Sequence, residues 1–188
     1  AASDVYKRQE LNILPGNYIA DVEATKLTWV GRKISSGHDG TIDLKNGSLN
    51  IGDDGQINGK FNIDMSSISV SDLQGGGKKS LERHLKNEDF FDVNNFPIAT
   101  LEFSSRTENI IKNKLSLASE LTVKNITNPL KFSAQIIEAS PQLKIKADIV
   151  FDRSIYDVRY GSGKFFENLG DRLILDEVQI GAILLFNL

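Results

Sequence analysis

The chain has 188 residues, a formal net charge of −3 and no cysteine, so disulfides, thiolate nucleophiles and cysteine metal sites are excluded. Hydrophobic residues make up 40% of it and charged residues 25%, which is typical of a globular domain rather than a disordered chain. The cations are spread along the sequence, and no apolar run reaches the roughly 18 residues of a membrane span. We therefore expect neither a nucleic-acid interface nor an integral membrane segment.

The first residues do not resemble the rest of the chain. Residues 3–9 read like translated sequencing-adapter sequence, and residues 1–10 lack the charged start and apolar run of a secretory signal. We predict that residues 1–16 form an N-terminal segment extraneous to the domain, and that one domain occupies residues 17–188.

Alternation of apolar and polar residues with a period of two dominates the chain from Tyr18 onward and predicts about eight strands. Hairpin and turn residues separate them at Asn46-Gly47, Asp53-Asp54-Gly55, Lys112-Asn113-Lys114 and Ser140-Pro141. The apolar faces comprise Ile57, Phe61, Ile63 and Met65; Leu115, Leu117, Leu121 and Val123, interrupted by Ser119; Leu130, Phe132, Ala134 and Ile136; and Leu143, Ile145, Ala147, Ile149 and Phe151. Because strands with one apolar face must pair to bury it, we expect an all-β antiparallel barrel.

Two regions depart from this alternation. Residues 78–86 place Leu81 and Leu85 four positions apart, which predicts a short helix that Ser80 could cap. Residues 154–172 are rich in glycine and aromatic residues and are predicted to form an irregular loop.

Motifs for catalysis are weak. Gly77-Lys78 resembles part of a phosphate-binding loop, but Lys79 stands at the hydroxyl position and Asp72 where the first glycine belongs. We therefore interpret the glycines before Lys78 as a flexible loop. His38 and His84 are far apart and form no metal-binding motif, and the Gly-x-Ser-x-Gly pattern is absent.

The apolar content leaves two interpretations open. Ten phenylalanines and Trp29 are distributed over many strands. A barrel of about eight strands can either fill its interior with side chains or hold one small ligand, and alternation does not distinguish these cases.

One stretch carries a resemblance to a known family. Residues 81–103 contain His84-Leu85, then Asp89-Phe90-Phe91-Asp92-Val93, then Phe96-Pro97. This order closely resembles the bacterial YceI-like, or polyisoprenoid-binding, family. Residues 64–68, 121–127 and 151–154 resemble further signatures of that family, so the similarity extends from about Tyr18 to the C-terminus. Asn125 stands where many members have glycine, a mild departure because both residues tolerate left-handed backbone.

The resemblance implies an extended, lipocalin-like antiparallel β-barrel with one short helix at one end. It implies an isoprenoid or other long-chain lipid as ligand, with no cofactor, no metal and no catalytic residue. It also implies a periplasmic or secreted location and is compatible with a homodimer. We predict that the lipid tunnel is lined by Trp29, Phe61, Ile63, Leu101, Phe103, Leu117, Leu121, Phe132, Ile149 and Phe151. The signature residues His84, Asp89, Phe90, Phe91, Pro97, Asp152 and Arg153 are expected to serve structure more than ligand.

More specifically, we expect Phe90 and Phe91 to plug the barrel end, Pro97 to set entry into the next strand, and Asp89 to cap a turn. Two alternatives remain open. One is a small hydrolase or isomerase that acts on a lipid headgroup through His84 or His38 with nearby carboxylates. The other is a β domain without a cavity that acts in protein interaction or stress protection.

Overall fold

The computed structural model describes residues 10–188, and the adapter-like residues 3–9 lie outside this range. The elements, in chain order, are β1 (Gly16–Ala20), β2 (Lys26–Arg32), β3 (Gly37–Ile51), β4 (Gln56–Val70), α1 (Gly75–Lys86), β5 (Ile98–Arg106), β6 (Lys114–Val123), β7 (Ile126–Glu138), β8 (Leu143–Asp152) and β9 (Glu177–Asn187). Short 3₁₀ turns lie at Thr107–Asn109, Arg153–Tyr156 and Gly170–Arg172. No helix among residues 10–188 is long and apolar enough to span a membrane.

Strands β2 to β9 pair in sequence, and β9 returns to β2, so these eight strands close an antiparallel barrel. Strand β1 is a ninth strand that pairs with β3 and β9 beyond the point where β2 begins. Together β1 and β2 form one interrupted strand of the wall. Closure buries the apolar face of every strand without leaving a long free edge, and it confirms the predicted all-β barrel with one short helix.

The two ends of the barrel differ. The end that we call the helix end carries the β2–β3 hairpin, α1 and the long β8–β9 loop at residues 153–176. The β6–β7 turn also lies at the helix end, where Lys124 Nζ donates to the carbonyl oxygen of Asp157. The opposite end, which we call the strap end, carries the β3–β4, β5–β6 and β7–β8 connections and the segment at residues 10–15, which packs Leu11 and Ile13 against the barrel core. The amide of Leu11 donates a hydrogen bond to Asn113 Oδ1 at 2.8 Å, which ties this segment to the β5–β6 connection.

The predicted inward faces of β4, β6, β7 and β8 all point into the barrel. Ser119 interrupts the apolar pattern of β6 but is buried as well, and its hydroxyl donates to the carbonyl oxygen of Leu130 at 2.6 Å. A buried hydroxyl with a partner avoids most of the cost of desolvation, so the interruption does not disturb the strand.

The predicted hairpin at Asn46-Gly47 is wrong. Both residues lie inside the continuous strand β3, next to a shift in register between Leu44 and Asn46. The glycine is needed for packing, because a Cβ atom on Gly47 would come within 2.5 Å of the ring of Phe61, its cross-strand partner. A signal typical of turns therefore marks a bulge and a close aromatic contact here.

The same arrangement occurs at two more places in the wall. Gly59 faces Phe103, and Gly40 faces Trp29, each in direct cross-strand register. A Cβ atom would lie 2.4 Å from the Phe103 ring and 2.5 Å from the Trp29 ring. Each ring therefore covers the glycine opposite it on the neighbouring strand.

The prediction for the helix was right in kind but wrong at its start. Helix α1 begins at Gly75, so Ser80 lies inside the helix and does not cap its start. The N-cap residue is Gln74, whose side chain makes no capping hydrogen bond. The glycines interpreted as a flexible loop are its first turn. Leu81 and Leu85 face the barrel interior, and such tertiary packing outweighs the poor helix propensity of glycine. The other predicted turns and the irregular β8–β9 loop are confirmed.

We expect Gly59→Ala to lower the free energy of unfolding by about 1–3 kcal/mol, because the added methyl group meets the Phe103 ring. Gly31→Ala is a matched control, since no atom lies within 4 Å of its added Cβ, and it should change stability by less than about 1 kcal/mol. Urea denaturation measures both values. Equal effects would show that the glycine–aromatic contact is unimportant.

Candidate functional site: an apolar cavity inside the barrel

The interior of the barrel is hollow. A cavity of about 550 Å³ extends from Ile13 and Ile110 at the strap end to His38, His84 and Tyr160 at the helix end. This volume lies within the range of roughly 300–1,000 Å³ that small-molecule sites occupy. The alternative of a β domain without a cavity is therefore wrong.

All ten residues predicted to line a tunnel lie on the cavity wall: Trp29, Phe61, Ile63, Leu101, Phe103, Leu117, Leu121, Phe132, Ile149 and Phe151. They belong to six different strands, and each occupies an inward position of its pleat. Their contact with a ligand stays a prediction. The wall between them consists almost entirely of further aliphatic side chains, which offer no hydrogen bonds to a polar guest.

Small side chains on neighbouring strands keep the interior open. Ala134, Ala147 and Ala182 are cross-strand partners on β7, β8 and β9, and all three are buried and line the cavity. Three methyl groups in a row leave space that leucine or phenylalanine would occupy. This alanine row faces the lumen together with the aromatic residues of the opposite wall, where the rings of Phe61 and Phe103 stack with their centroids 6.2 Å apart.

Aromatic side chains from three segments meet at the helix end. The ring of His84 on α1 makes edge-to-face contacts with Tyr160 at 4.4 Å and with the buried Phe90 at 4.9 Å between centroids. Phe91 also lines this end of the cavity. The signature residues His84, Phe90 and Phe91 thus form the inner surface of the cavity at the helix end.

Pro97 and Asp89 of the first signature lie outside the cavity lining. Pro97 immediately precedes β5, and its carbonyl oxygen accepts a hydrogen bond from the amide of Met65 at 2.9 Å. Asp89 does not cap its turn as predicted, because its amide donates to Oδ1 of Asn87 at 2.9 Å and Asn87 is therefore the capping residue. The carboxylate of Asp89 lies 4.0 Å from Nε2 of His84.

Arg153 fixes the β8–β9 loop beside the opening. Its side chain is almost completely buried, with the residue only 1% exposed, and its guanidinium donates to the carbonyl oxygens of Val158 at 3.0 Å, Ile174 at 3.2 Å and Leu175 at 3.3 Å. Burial lowers the pKa of Arg153 from its ordinary value, while the carboxylates of Asp176 and Asp152 act in the opposite direction.

A serine and a lysine lie together next to this arginine. Lys164 donates to Asp152 and to the hydroxyl of Ser154 at 2.8 Å, and the Ser154 hydroxyl donates to Asp152. Burial by itself raises the pKa of Asp152, but the hydrogen bonds from Lys164 and Ser154 outweigh it and hold that pKa below its usual value. The hydrogen bond to Asp152 raises the pKa of Lys164. These hydrogen bonds brace the start of the β8–β9 loop.

Both histidines line the helix end of the cavity, although the sequence places them 46 positions apart. His38 Nδ1 lies 2.8 Å from Oδ2 of Asp72, which also accepts a hydrogen bond from the amide of Asp39 through its other oxygen. Within residues 10–188 no group of three or more histidine, aspartate and glutamate side chains is placed to hold a metal ion. The histidines therefore offer proton-transfer groups near the opening and no metal centre.

Several residues of the opening were missed at the sequence level. Arg32, Lys33 and Ser36 on the β2–β3 hairpin line the opening, as do Tyr160 and Leu175 on the β8–β9 loop. No local pattern in the sequence marks them, because two loops distant in the chain come together only when the barrel closes.

We expect Arg153→Met to lower the free energy of unfolding by about 3–5 kcal/mol, since it leaves three backbone carbonyl groups and Asp176 without their cationic partner. Arg159→Met is the matched control, because Arg159 forms an exposed pair with Asp157 and should contribute less than about 1 kcal/mol. Urea denaturation monitored by Trp29 fluorescence measures both. A similar, small effect of the two substitutions would contradict the role assigned to Arg153.

Comparison with proteins of known structure supports the same architecture. The structure of Burkholderia cenocepacia BcnA superposes with a TM-score of 0.70 at 20% identity, over 88% of this chain and 98% of that protein. A polyisoprenoid binding domain from Saccharophagus degradans, implicated in plant cell wall breakdown, gives a TM-score of 0.67 at 13% identity, over 90% of this chain and 97% of that domain. At these identities the likeness concerns the fold alone.

No curated protein sequence matches the chain. The family model described as YceI-like domain, in contrast, matches residues 18–184, which is nearly the whole barrel from β1 to β9. The chain therefore belongs to the YceI-like family.

Proposed function

We propose that this protein binds an isoprenoid or another long-chain lipid inside the barrel and sequesters or carries it. The observation that supports the proposal is the continuous cavity of about 550 Å³ with an almost wholly hydrocarbon wall. Each buried CH₂ group of a ligand contributes about 0.8 kcal/mol, so a long apolar chain can bind tightly without a single hydrogen bond. The structural similarity to a polyisoprenoid binding domain agrees with this class of ligand.

The distribution of polar groups indicates how such a ligand would lie. The chain would occupy the lumen between the alanine row and the Phe61–Phe103 stack, because the wall there is apolar on all sides. A polar headgroup would remain at the helix end, where His38, His84 and Tyr160 supply hydrogen-bonding groups. An orientation with the headgroup inside would bury it against hydrocarbon, which costs several kcal/mol.

We further propose that the protein acts by binding and not by catalysis. The Ser154–Lys164 pair is braced by Asp152, and the raised pKa of Lys164 opposes its use as a base. One observation favours a second candidate, an enzyme that acts on a lipid headgroup: the pair of His38 and Asp72, which lies at the opening of the cavity. A periplasmic or secreted location is proposed from the family resemblance, and a homodimer stays a prediction.

A substitution that fills the lumen tests the binding function. In Ala147→Trp, the indole would occupy the space at the centre of the alanine row, and we expect the protein to lose its lipid. Native mass spectrometry after gentle purification, with organic extraction of the same sample, measures the fraction of protein that carries a lipid-sized adduct. Ala118→Trp is the matched control, because Ala118 is exposed on the outer face of β6 and should leave the adduct unchanged.

If the unmodified protein carries no adduct, extraction recovers no lipid, and added geranylgeraniol does not bind, the proposed function is wrong. If Ala147→Trp and Ala118→Trp retain lipid equally, the lipid does not occupy the lumen.

The enzyme alternative is tested at the two histidines. For a carrier, we expect the double variant His38→Ala, His84→Ala to retain its adduct, and the adduct mass to be the same as in the unmodified protein. An enzyme would instead accumulate an unprocessed lipid, visible as a shifted adduct mass in the double variant. The control is Asp89→Asn, which removes the distant carboxylate at His84 and keeps both imidazoles.

A further inference from the structure

Exposed apolar side chains surround the opening of the cavity. Ile34 at the tip of the β2–β3 hairpin is 79% exposed, and on the β8–β9 loop Tyr160 is 46%, Phe165 42% and Phe166 49% exposed. We call these four residues the rim patch. Exposed aromatic side chains that are grouped around an opening usually mark an interaction surface.

Backbone hydrogen bonds join the two loops into one rim. The amide of Leu175 donates to the carbonyl oxygen of Arg32 at 2.8 Å, and the amide of Ile174 donates to that of Gly161 at 2.8 Å. The amides of Phe165 and Phe166 then donate to the carbonyl oxygen of Ser162. The hairpin tip and the Phe165–Phe166 pair therefore belong to one connected surface. Arg153 holds this surface in place through its hydrogen bonds to the carbonyl oxygens of Val158 and Ile174.

The hairpin tip is cationic. Residues 32–38 contain Arg32 and Lys33 and no carboxylate, and within residues 10–188 neither cation has a carboxylate oxygen within 4.0 Å. On the loop, Arg159 and Lys164 are paired with Asp157 and Asp152. Over residues 153–176 the four cations are balanced by four carboxylates, so the loop has no net formal charge, whereas the hairpin tip beside Ile34 carries two cations and no carboxylate.

The strap end has the opposite character. Its connections contain exposed aliphatic residues such as Leu14 and Ile111 but no aromatic residue in residues 10–15, 52–55, 107–113 or 139–142. Those segments contain Glu10, Asp53, Asp54 and Glu108, with Lys112 as their cation. An anionic surface would therefore attract the helix end and repel the strap end, which orients the barrel with its opening toward that surface.

We propose that the helix end docks on an anionic lipid bilayer. The rim patch would insert its side chains between the lipids, and Arg32 and Lys33 would lie among the anionic headgroups. A lipid could then pass between the bilayer and the cavity without crossing water. This inference rests on the proposed function, because a bilayer is the source from which a barrel with a hydrocarbon lumen would take a long-chain lipid.

Vesicle co-sedimentation of the full chain tests the proposal. We expect association with vesicles of phosphatidylcholine and phosphatidylglycerol, little association with phosphatidylcholine alone, and release at high salt. The triple variant Ile34→Ser, Phe165→Ser, Phe166→Ser should reduce association by about tenfold or more, because it removes the inserted area. The control Leu14→Ser, Ile111→Ser, Ile137→Ser removes a similar number of exposed apolar groups at the strap end and should have no effect.

A second pair of variants tests the charges. Arg32→Glu with Lys33→Glu should weaken binding to the anionic vesicles by about 25-fold or more, since each cation near such a surface contributes about fivefold. Lys131→Glu with Lys146→Glu makes the same change in net charge on the outer wall and should have a much smaller effect. If both pairs weaken binding equally, the association follows net charge and not the rim, and docking through the helix end is wrong.

The lipid adduct is measured on the same preparations. This separates a failure of the docking proposal from a failure of the proposed lipid binding. The Ile34, Phe165 and Phe166 side chains do not line the cavity, so their triple variant should keep its adduct while losing the vesicles. If the unmodified protein carries a lipid but associates with neither kind of vesicle, the docking proposal is wrong and the proposed function is unaffected. Protein without any adduct would overturn the proposed function itself.

Discussion

The size of the inward side chains on a closed wall is the constraint on which the rest of this structure depends. Eight paired strands set the circumference of the barrel, so the residues that point inward decide how much of the interior is filled. Gly40, Gly47 and Gly59 let aromatic rings lie against the wall, and the alanine row on β7, β8 and β9 leaves the opposite side open. The cavity is therefore a direct consequence of small residues at inward positions.

Access to an open lumen depends on the structure at its two ends, and these two ends are built differently. At the strap end the segment at residues 10–15 packs Leu11 and Ile13 against the core. At the helix end Arg153 holds the β8–β9 loop through three carbonyl groups, while Asp152, Ser154 and Lys164 brace the same loop. The buried charge thus supports the rim of the opening. The polar side chains that line the cavity, such as His38, His84 and Tyr160, and the exposed aromatic residues Tyr160, Phe165 and Phe166 lie at this one end.

Much of the architecture could be predicted because strand geometry has a strict period of two. Once Ile57, Leu115 or Leu143 is assigned to the inside, every second residue follows it along β6 and β8 and along β4 as far as Met65, and the ten predicted lining residues all reach the cavity wall. Local reasoning failed where a residue serves a distant partner. Gly47 belongs to a sequence typical of turns, but it is required because a side chain there would meet the ring of Phe61. Gly75 begins a helix because α1 packs against the barrel end.

Alternation in the chain determined the strands, their inward faces and, through the signature at residues 81–103, the family. Local patterns could not decide between a filled and a hollow interior, because that depends on which small residues face one another across strands such as β7, β8 and β9. Nor could they locate the opening, whose hairpin and loop lie more than a hundred residues apart in the chain. Closure of the barrel brings these residues together, and only the tertiary structure contains that information.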